Sequence, residues 1–176
     1  WVVCRALEIL DLLPDHHARE LWDQLGLSTD ELDRWDDVSR KMRVCFHDDG
    51  VISQFEGYER LEELDWLDYQ ERYGDIQRLD RILEAEGDST NRYKLSKQAD
   101  VLMIFYLLNT AEVQDIFHRL GYPFDPDRDL RANVEYYVAR TRDGSTISWV
   151  VHAWVVARLD RRRSWQIFLK ALRSDI

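Results

Sequence analysis

Lys97-Gln98-Ala99-Asp100 stands at the head of the most apolar run in the chain, Val101 to Leu108. With a helix starting at Lys97, the ammonium lies in the first turn, facing the positive end of the macrodipole. A cation is unfavourable there unless an anion lies nearby. With Gln98 and Asp100 it forms a polar tip on a rigid, buried helix, a good place to hold a polar ligand. A solvated helix start with a local ion pair is the plainer explanation. Gln54-Phe55-Glu56-Gly57-Tyr58 offers a carboxylate flanked by rings. Rings stack on the apolar faces of pyranoses, and carboxylates accept hydrogen bonds from hydroxyls. Trp66 and Tyr69 add further rings, although a surface loop with buried aromatics explains the same residues. Asn91-Arg92-Tyr93-Lys94 and Lys97-Gln98 place several cations close together, suiting an anionic or hydroxyl-rich ligand; for Arg92 and Lys94 alone, ordinary surface charge suffices. Thr141-Arg142-Asp143-Gly144-Ser145-Thr146-Ile147-Ser148 precedes an apolar helix, and small hydroxyl residues with Gly at a helix N-terminus can cradle an anion. A simple N-cap by Ser145 or Ser148 is the alternative.

Other candidates are weaker. His152 lies among Val150, Val151, Ala153 and Trp154 and reads as a satisfied core histidine, whereas His16, His17 and His118 read as surface residues. No His, Cys and Asp set has metal-ligand spacing, and neither a GxSxG nucleophile motif nor a phosphate-binding P-loop occurs.

The elements that must carry these residues are mostly helices. Apolar residues from Trp1 to Leu13 recur at helical spacing and stop at Pro14. A helix over His17 to Leu25 ends at Gly26, and Ser28-Thr29-Asp30-Glu31 is a capping box opening a helix to about Met42. Arg43 to Phe46 and Val51 to Phe55 read as short strands joined by a turn at His47-Asp48-Asp49-Gly50. Further helices are expected over Asp75 to Ala85, Lys97 to Leu108, Ala111 to Leu120, Arg131 to Ala139, Ser148 to Leu159 and Arg163 to Leu172. The longer polar and aromatic loops are Phe46 to Trp66, Gly87 to Ser96 and Thr141 to Ser148. Helical hairpins with such loops suggest a superhelix or a closed ring of hairpins.

Composition narrows the function. A chain of 176 residues with 45% hydrophobic content, seven Trp and eight Tyr can pack a core, and three Pro with seven Gly favour helices. Net charge is −10 (24 minus 34) with both signs interspersed, which disfavours nucleic acid. Arg158, Arg161, Arg162 and Arg163 are too few and too mixed with Asp160 to reverse this, and read as a solvated helix start. No apolar run approaches the ~20 residues of a membrane span, and no signal peptide is evident. Cys4 and Cys45 fit reduced thiols and a cytoplasmic setting. A chain opening on Trp1-Val2-Val3 and stopping at Ile176 suggests a segment of a longer protein.

The run Asp48 to Tyr58 followed by Leu61-Glu62-Glu63-Leu64-Asp65-Trp66 resembles glycoside hydrolase family 65, which includes the kojibiose, trehalose and maltose phosphorylases. So do Asn91 to Lys94 with Ser96 to Val101, and Gly144-Ser145-Thr146 with Val151-His152-Ala153; the likeness covers essentially the whole chain in the family's order. The resemblance implies an all-α fold: a partial catalytic (α/α)6-barrel domain over residues 1–176, truncated at both ends, with one short β-hairpin near 43–55. It implies inverting phosphorolysis of an α-glucosidic disaccharide, giving β-glucose 1-phosphate and a sugar. By the family pattern Lys97 and Gln98 contact the glucose being cleaved, Ser145 and Thr146 bind phosphate, and Glu56 lies in or near the sugar site. The partners implied are disaccharide and phosphate, with phosphate a co-substrate and no cofactor, metal, nucleic acid or membrane; a homodimer would fit the full-length protein.

Two departures matter. The family's general acid sits in a Gly-Pro-Asp-Glu-Tyr-type motif that this chain lacks, so no catalytic residue is assigned and the isolated chain is expected to be inactive. The phosphate loop usually carries His two positions before the Ser, where this chain has Asp143. Arg142 could offset that carboxylate by pairing with it or by reaching phosphate. Alternatively, Asp143 activates water and the parent enzyme is a hydrolase. A helical scaffold without chemistry is the rival from another class.

Overall fold

The computed structural model describes residues 1–74, 76, 78–96, 99–141 and 146–173. Among them are ten α-helices and no strand. The chain divides into two compact units, Trp1–Arg43 with Gln114–Phe124, and Val44–Val113 with Asp125–Ile176.

The first unit holds α1 (Val2–Leu12), α2 (Asp15–Leu25), α3 (Thr29–Lys41) and the end of α7 (Thr110–Arg119). Gly26, at φ 63°, closes α2 in a left-handed conformation that glycine adopts without Cβ strain. The Ser28 hydroxyl accepts from the Glu31 N–H at 3.2 Å, as the capping box requires. α1 packs on α3. The Arg119 guanidinium pairs with Asp36 and donates to Ser39 Oγ at 2.7 Å. Arg40 and Arg119 hold the Asp36 carboxyl below its usual range, against a smaller opposing effect of burial.

The second unit carries α4 (Trp66–Tyr73), α5 (Leu79–Ala85), α6 (Asp100–Leu107), α8 (Pro126–Arg140), α9 (Thr146–Val156) and α10 (Arg161–Arg173). α9 packs on α10, α6 and α8, and Leu102, Phe105, Val134, Val155 and Val156 are buried in this unit. Asp125 caps α8 by accepting from the N–H groups of Asp127 and Arg128, with Pro126 in the first turn. That cap starts the helix several residues before Arg131. Asp160 does the same for α10, accepting from the N–H groups of Arg162 and Arg163, so the basic cluster opens a helix as expected.

Three sequence expectations are corrected. The hairpin is reduced to one antiparallel bridge, Phe46 with Ile52; the Ser53 N–H reaches Cys45 O at 2.8 Å and the His47 N–H reaches Val51 O at 2.8 Å. Asn133 takes the N–H of Ile52 instead of a further strand. Trp66 and Tyr69, read as loop rings, lie on α4, where Asp65 caps the Asp68 N–H and Tyr69 is buried with Leu64, Ile76, Leu79 and Leu83. Ser148, offered as an N-cap, sits inside α9 and is buried. No helix among the described residues is long and apolar enough to cross a membrane, and Cys4 and Cys45 are both free.

Candidate functional site

α6 begins at Asp100, with Ala99 in extended backbone at its N-cap, rather than at Lys97. The alanine side chain cannot cap, and the first helical N–H finds a remote partner: Asp100 N–H donates to Gln54 Oε1 at 2.8 Å. Gln54 thus ties the segment after the hairpin to the start of the apolar helix. The hairpin is in turn fixed to α8. The Ile52 N–H donates to Asn133 Oδ1 at 2.9 Å, and the Tyr137 hydroxyl donates to Ile52 O at 2.5 Å. Asn133 and Tyr137, one helical turn apart, are both completely buried.

Two parallel bridges gather the remaining segments. Glu62 pairs with Tyr93, through the Glu62 N–H to Arg92 O at 3.0 Å and the Lys94 N–H to Glu62 O at 2.7 Å. Ser96 pairs with Thr141, its N–H reaching Arg140 O at 3.3 Å. This second bridge joins the residues that immediately precede Lys97-Gln98 and Arg142 to Ser145. Those residues, Asp143 and Gly144 included, lie outside the described residues, as does the Thr146 side chain. The expected convergence of Lys97, Gln98, Ser145 and Thr146 is therefore not described; the pairing of the segments leading into it is.

Between these segments lies an open cleft of about 480 Å3. Gln54, Phe55 and Tyr58 line it from the hairpin side, Thr90, Asn91, Tyr93, Leu95 and Ser96 from the 90–96 segment, and Asp100 from α6. Three motifs singled out in the sequence meet here. The lining is mixed polar and aromatic, with Phe55 55% exposed. Glu56 is exposed on the turn beside the cleft and is not among the residues that line it. Thr90, Leu61 and Leu95 had no signal in the sequence, because they reach the cleft through pairings between segments some thirty residues apart.

The cations of the 92–94 segment are engaged by carboxylates. Arg92 pairs with Glu62 at 2.9 Å and Asp88 at 3.3 Å, and Lys94 with Glu63 at 3.3 Å. Glu63 also receives Arg140 at 2.9 Å, and that guanidinium stacks 3.8 Å over the Tyr136 ring. Burial raises the Glu63 carboxyl, but Arg140 and Lys94 outweigh it and leave the group below its usual range. This knot ties residue 63 to the helix end that leads into Thr141.

Behind the cleft, His47 stacks on Tyr58 at 5.9 Å and meets Tyr136 edge-on at 5.0 Å. Both the His47 Nε2 and the Tyr58 hydroxyl are buried without a hydrogen-bond partner. Burial pushes the Tyr58 phenol up to about 12. A second groove of about 410 Å3, walled by Trp154, Trp165 and Phe168, is almost wholly apolar and offers little that could do chemistry.

Helical hairpins whose irregular segments build a polar, ring-lined cleft define a piece of an (α/α)6 catalytic barrel. A solved structure described as a kojibiose phosphorylase from the human microbiome superposes on 93% of this chain and 21% of its own, with TM-score 0.62 and 22% identity. The chain belongs to glycosyl hydrolase family 65: the family's central catalytic domain matches residues 1–176. An uncharacterized glycosyl hydrolase of Mycobacterium tuberculosis H37Rv is 60% identical over the whole chain, which spans 13% of that protein. The trehalose 6-phosphate phosphorylase of Lactococcus lactis is 37% identical over 82% of this chain and 19% of its own length. The kojibiose phosphorylase of Halothermothrix orenii is 26% identical over the whole chain and 21% of its own length.

Proposed function

We propose that the full-length protein carrying this chain is an inverting disaccharide phosphorylase that cleaves an α-glucosidic disaccharide with phosphate, giving β-glucose 1-phosphate and a free sugar. The observation that carries this reading is the cleft itself, where Gln54, Phe55 and Tyr58, Asn91 and Tyr93, and Ser96 and Asp100 come together in a chain whose relatives include phosphorylases. In this reading Lys97 and Gln98, which follow Ser96, contact the glucose, with Glu56 at its edge. Ser145 and Thr146 hold the phosphate, with Arg142 as an added cation.

The chemistry is economical. An inverting hydrolase needs one carboxylic acid for the leaving group and one carboxylate to activate water. Phosphate is already an anionic nucleophile, so the protein need only supply the acid and hold phosphate on the opposite face with donors. Asp143, where the family usually has His, favours a second reading in which that carboxylate activates water. The test is to incubate the full-length protein with trehalose, trehalose 6-phosphate and kojibiose, with and without phosphate. Phosphate-dependent formation of β-glucose 1-phosphate is expected. Equal release of free glucose without phosphate would establish the hydrolase instead.

A further inference from the structure

We propose that Gln54 is a positioning residue for the reaction: it selects the short form of α6, beginning at Asp100, and so sets the part of the cleft wall that Ser96 and Asp100 form. Its role in the reaction rests on the phosphorylase reading. Two acceptors compete for the Asp100 N–H. In a helix begun at Lys97, which the helix-forming residues Lys97, Gln98 and Ala99 favour, that N–H would make the first intrahelical bond, to Ser96 O. It donates instead to Gln54 Oε1 at 2.8 Å, across 46 residues of sequence. Ala99, at φ −78° and ψ 119°, is extended and completely buried, and its side chain has no atom that could cap the helix. Ser96 is engaged elsewhere, its N–H on Arg140 O at 3.3 Å in the parallel bridge with Thr141.

Gln54 can select the helix start because its own backbone is fixed from α8. Asn133 and Tyr137, both completely buried, hold Ile52 by its N–H and its carbonyl. On the other side, the Ser53 hydroxyl donates to Phe55 O at 2.6 Å and closes the chain around Gln54. The Gln54 N–H lies beside the Tyr137 hydroxyl, where it opposes the rise that burial causes in that phenol's pKa. The side-chain amide is therefore an anchored acceptor, presented to one N–H of a distant helix. Gln54, Ser96 and Asp100 all line the cleft, so a change in where α6 starts changes the wall that a substrate meets.

In the full-length protein, Gln54→Leu removes the acceptor at similar size. Hydrogen–deuterium exchange of the Asp100 amide, read from overlapping peptides, is expected to accelerate about tenfold. The KM for disaccharide is expected to rise about tenfold, while the KM for phosphate stays within about twofold of wild type. Gln54→Glu keeps an acceptor, which the helix N-terminus favours as an anion, and is expected to recover the exchange protection and most of the disaccharide KM. A variant that merely folds less well would lower kcat by its inactive fraction and leave both KM values alone. Unchanged exchange in Gln54→Leu, an unchanged disaccharide KM, or no recovery in Gln54→Glu overturns the inference. Wild-type protein without phosphate-dependent turnover overturns the phosphorylase reading instead, and the exchange comparison then decides by itself whether Gln54 sets the start of α6.

Discussion

Asn133 shows how one side chain sets the position of a site it does not touch. Its Oδ1 takes the Ile52 N–H and its Nδ2 donates to Asp129 O at 2.8 Å, both ends being used within a buried environment. Asn133→Leu keeps the volume and removes both partners, leaving the Ile52 N–H buried and unpaired. The expected loss is about 1–3 kcal/mol, read as a lowered midpoint of urea unfolding. Sugar affinity should fall with it, because Ile52 is two residues from Gln54, which lines the cleft and accepts from the Asp100 N–H. A stability change of a few tenths of a kcal/mol would show that water replaces Asn133. By contrast, Arg92 lies on the surface between Glu62 and Asp88, and exposed pairs of this kind contribute little. For Arg92 alone the sequence favoured ordinary surface charge, and its pairs agree: Asp88 is a local partner four residues away, whereas Glu62, thirty residues away, had no local signature.

At the scale of elements, the hairpin and α8 enclose His47, and that enclosure has a pH consequence. Burial holds the imidazole below its usual pKa; Asp49 and Glu59 oppose this, while Lys94 and Arg140 reinforce it. Tyr58 and Tyr136, the rings packed on it, are neutral in the same range because burial raises both phenols. The unfolded chain therefore binds the proton more readily than the folded one. Stability is unaffected well above pH ~6.5 and falls as the pH drops below that value toward the folded pKa. Glu63 and the other paired carboxylates act in a lower window, below about pH 4.5, so the two effects separate. His47→Gln should flatten the slope of unfolding free energy between about pH 6.5 and 5. Parallel slopes for variant and wild type would remove His47 as the cause. Elements were legible where caps are local: Ser28, Gly26 and the turn at His47 to Gly50 all behave as their residue types require. α6 was misplaced because Lys97, Gln98 and Ala99 are good helix formers, whereas a remote side chain, Gln54, supplies the cap that starts the helix at Asp100. α4 was missed because its Asp65 cap lies inside a stretch whose aromatics looked like a binding loop, although Tyr69 is core.

For the whole molecule, the relevant fact is that this chain spans 13% of its mycobacterial relative and 19% of the lactococcal phosphorylase, so its chemistry is a property of the longer protein. On the proposed phosphorylase reading, the choice between phosphate and water falls on Arg142 to Ser145, which lie outside the described residues. A carboxylate ~4 Å from phosphate costs up to about 4 kcal/mol at an effective dielectric near 20, enough to suppress phosphate binding unless Arg142 neutralises it. Replacing Asp143 by the family's usual residue, Asp143→His, removes that repulsion and adds a donor. In a phosphorylase the full-length variant should show at least a tenfold lower KM for phosphate, with the turnover of disaccharide little changed. In a hydrolase the same substitution should abolish glucose release in phosphate-free buffer, because the water-activating base is gone. The two outcomes move different quantities in one experiment, so a single variant decides whether the nucleophile in this protein arrives already charged or must be made so by the enzyme.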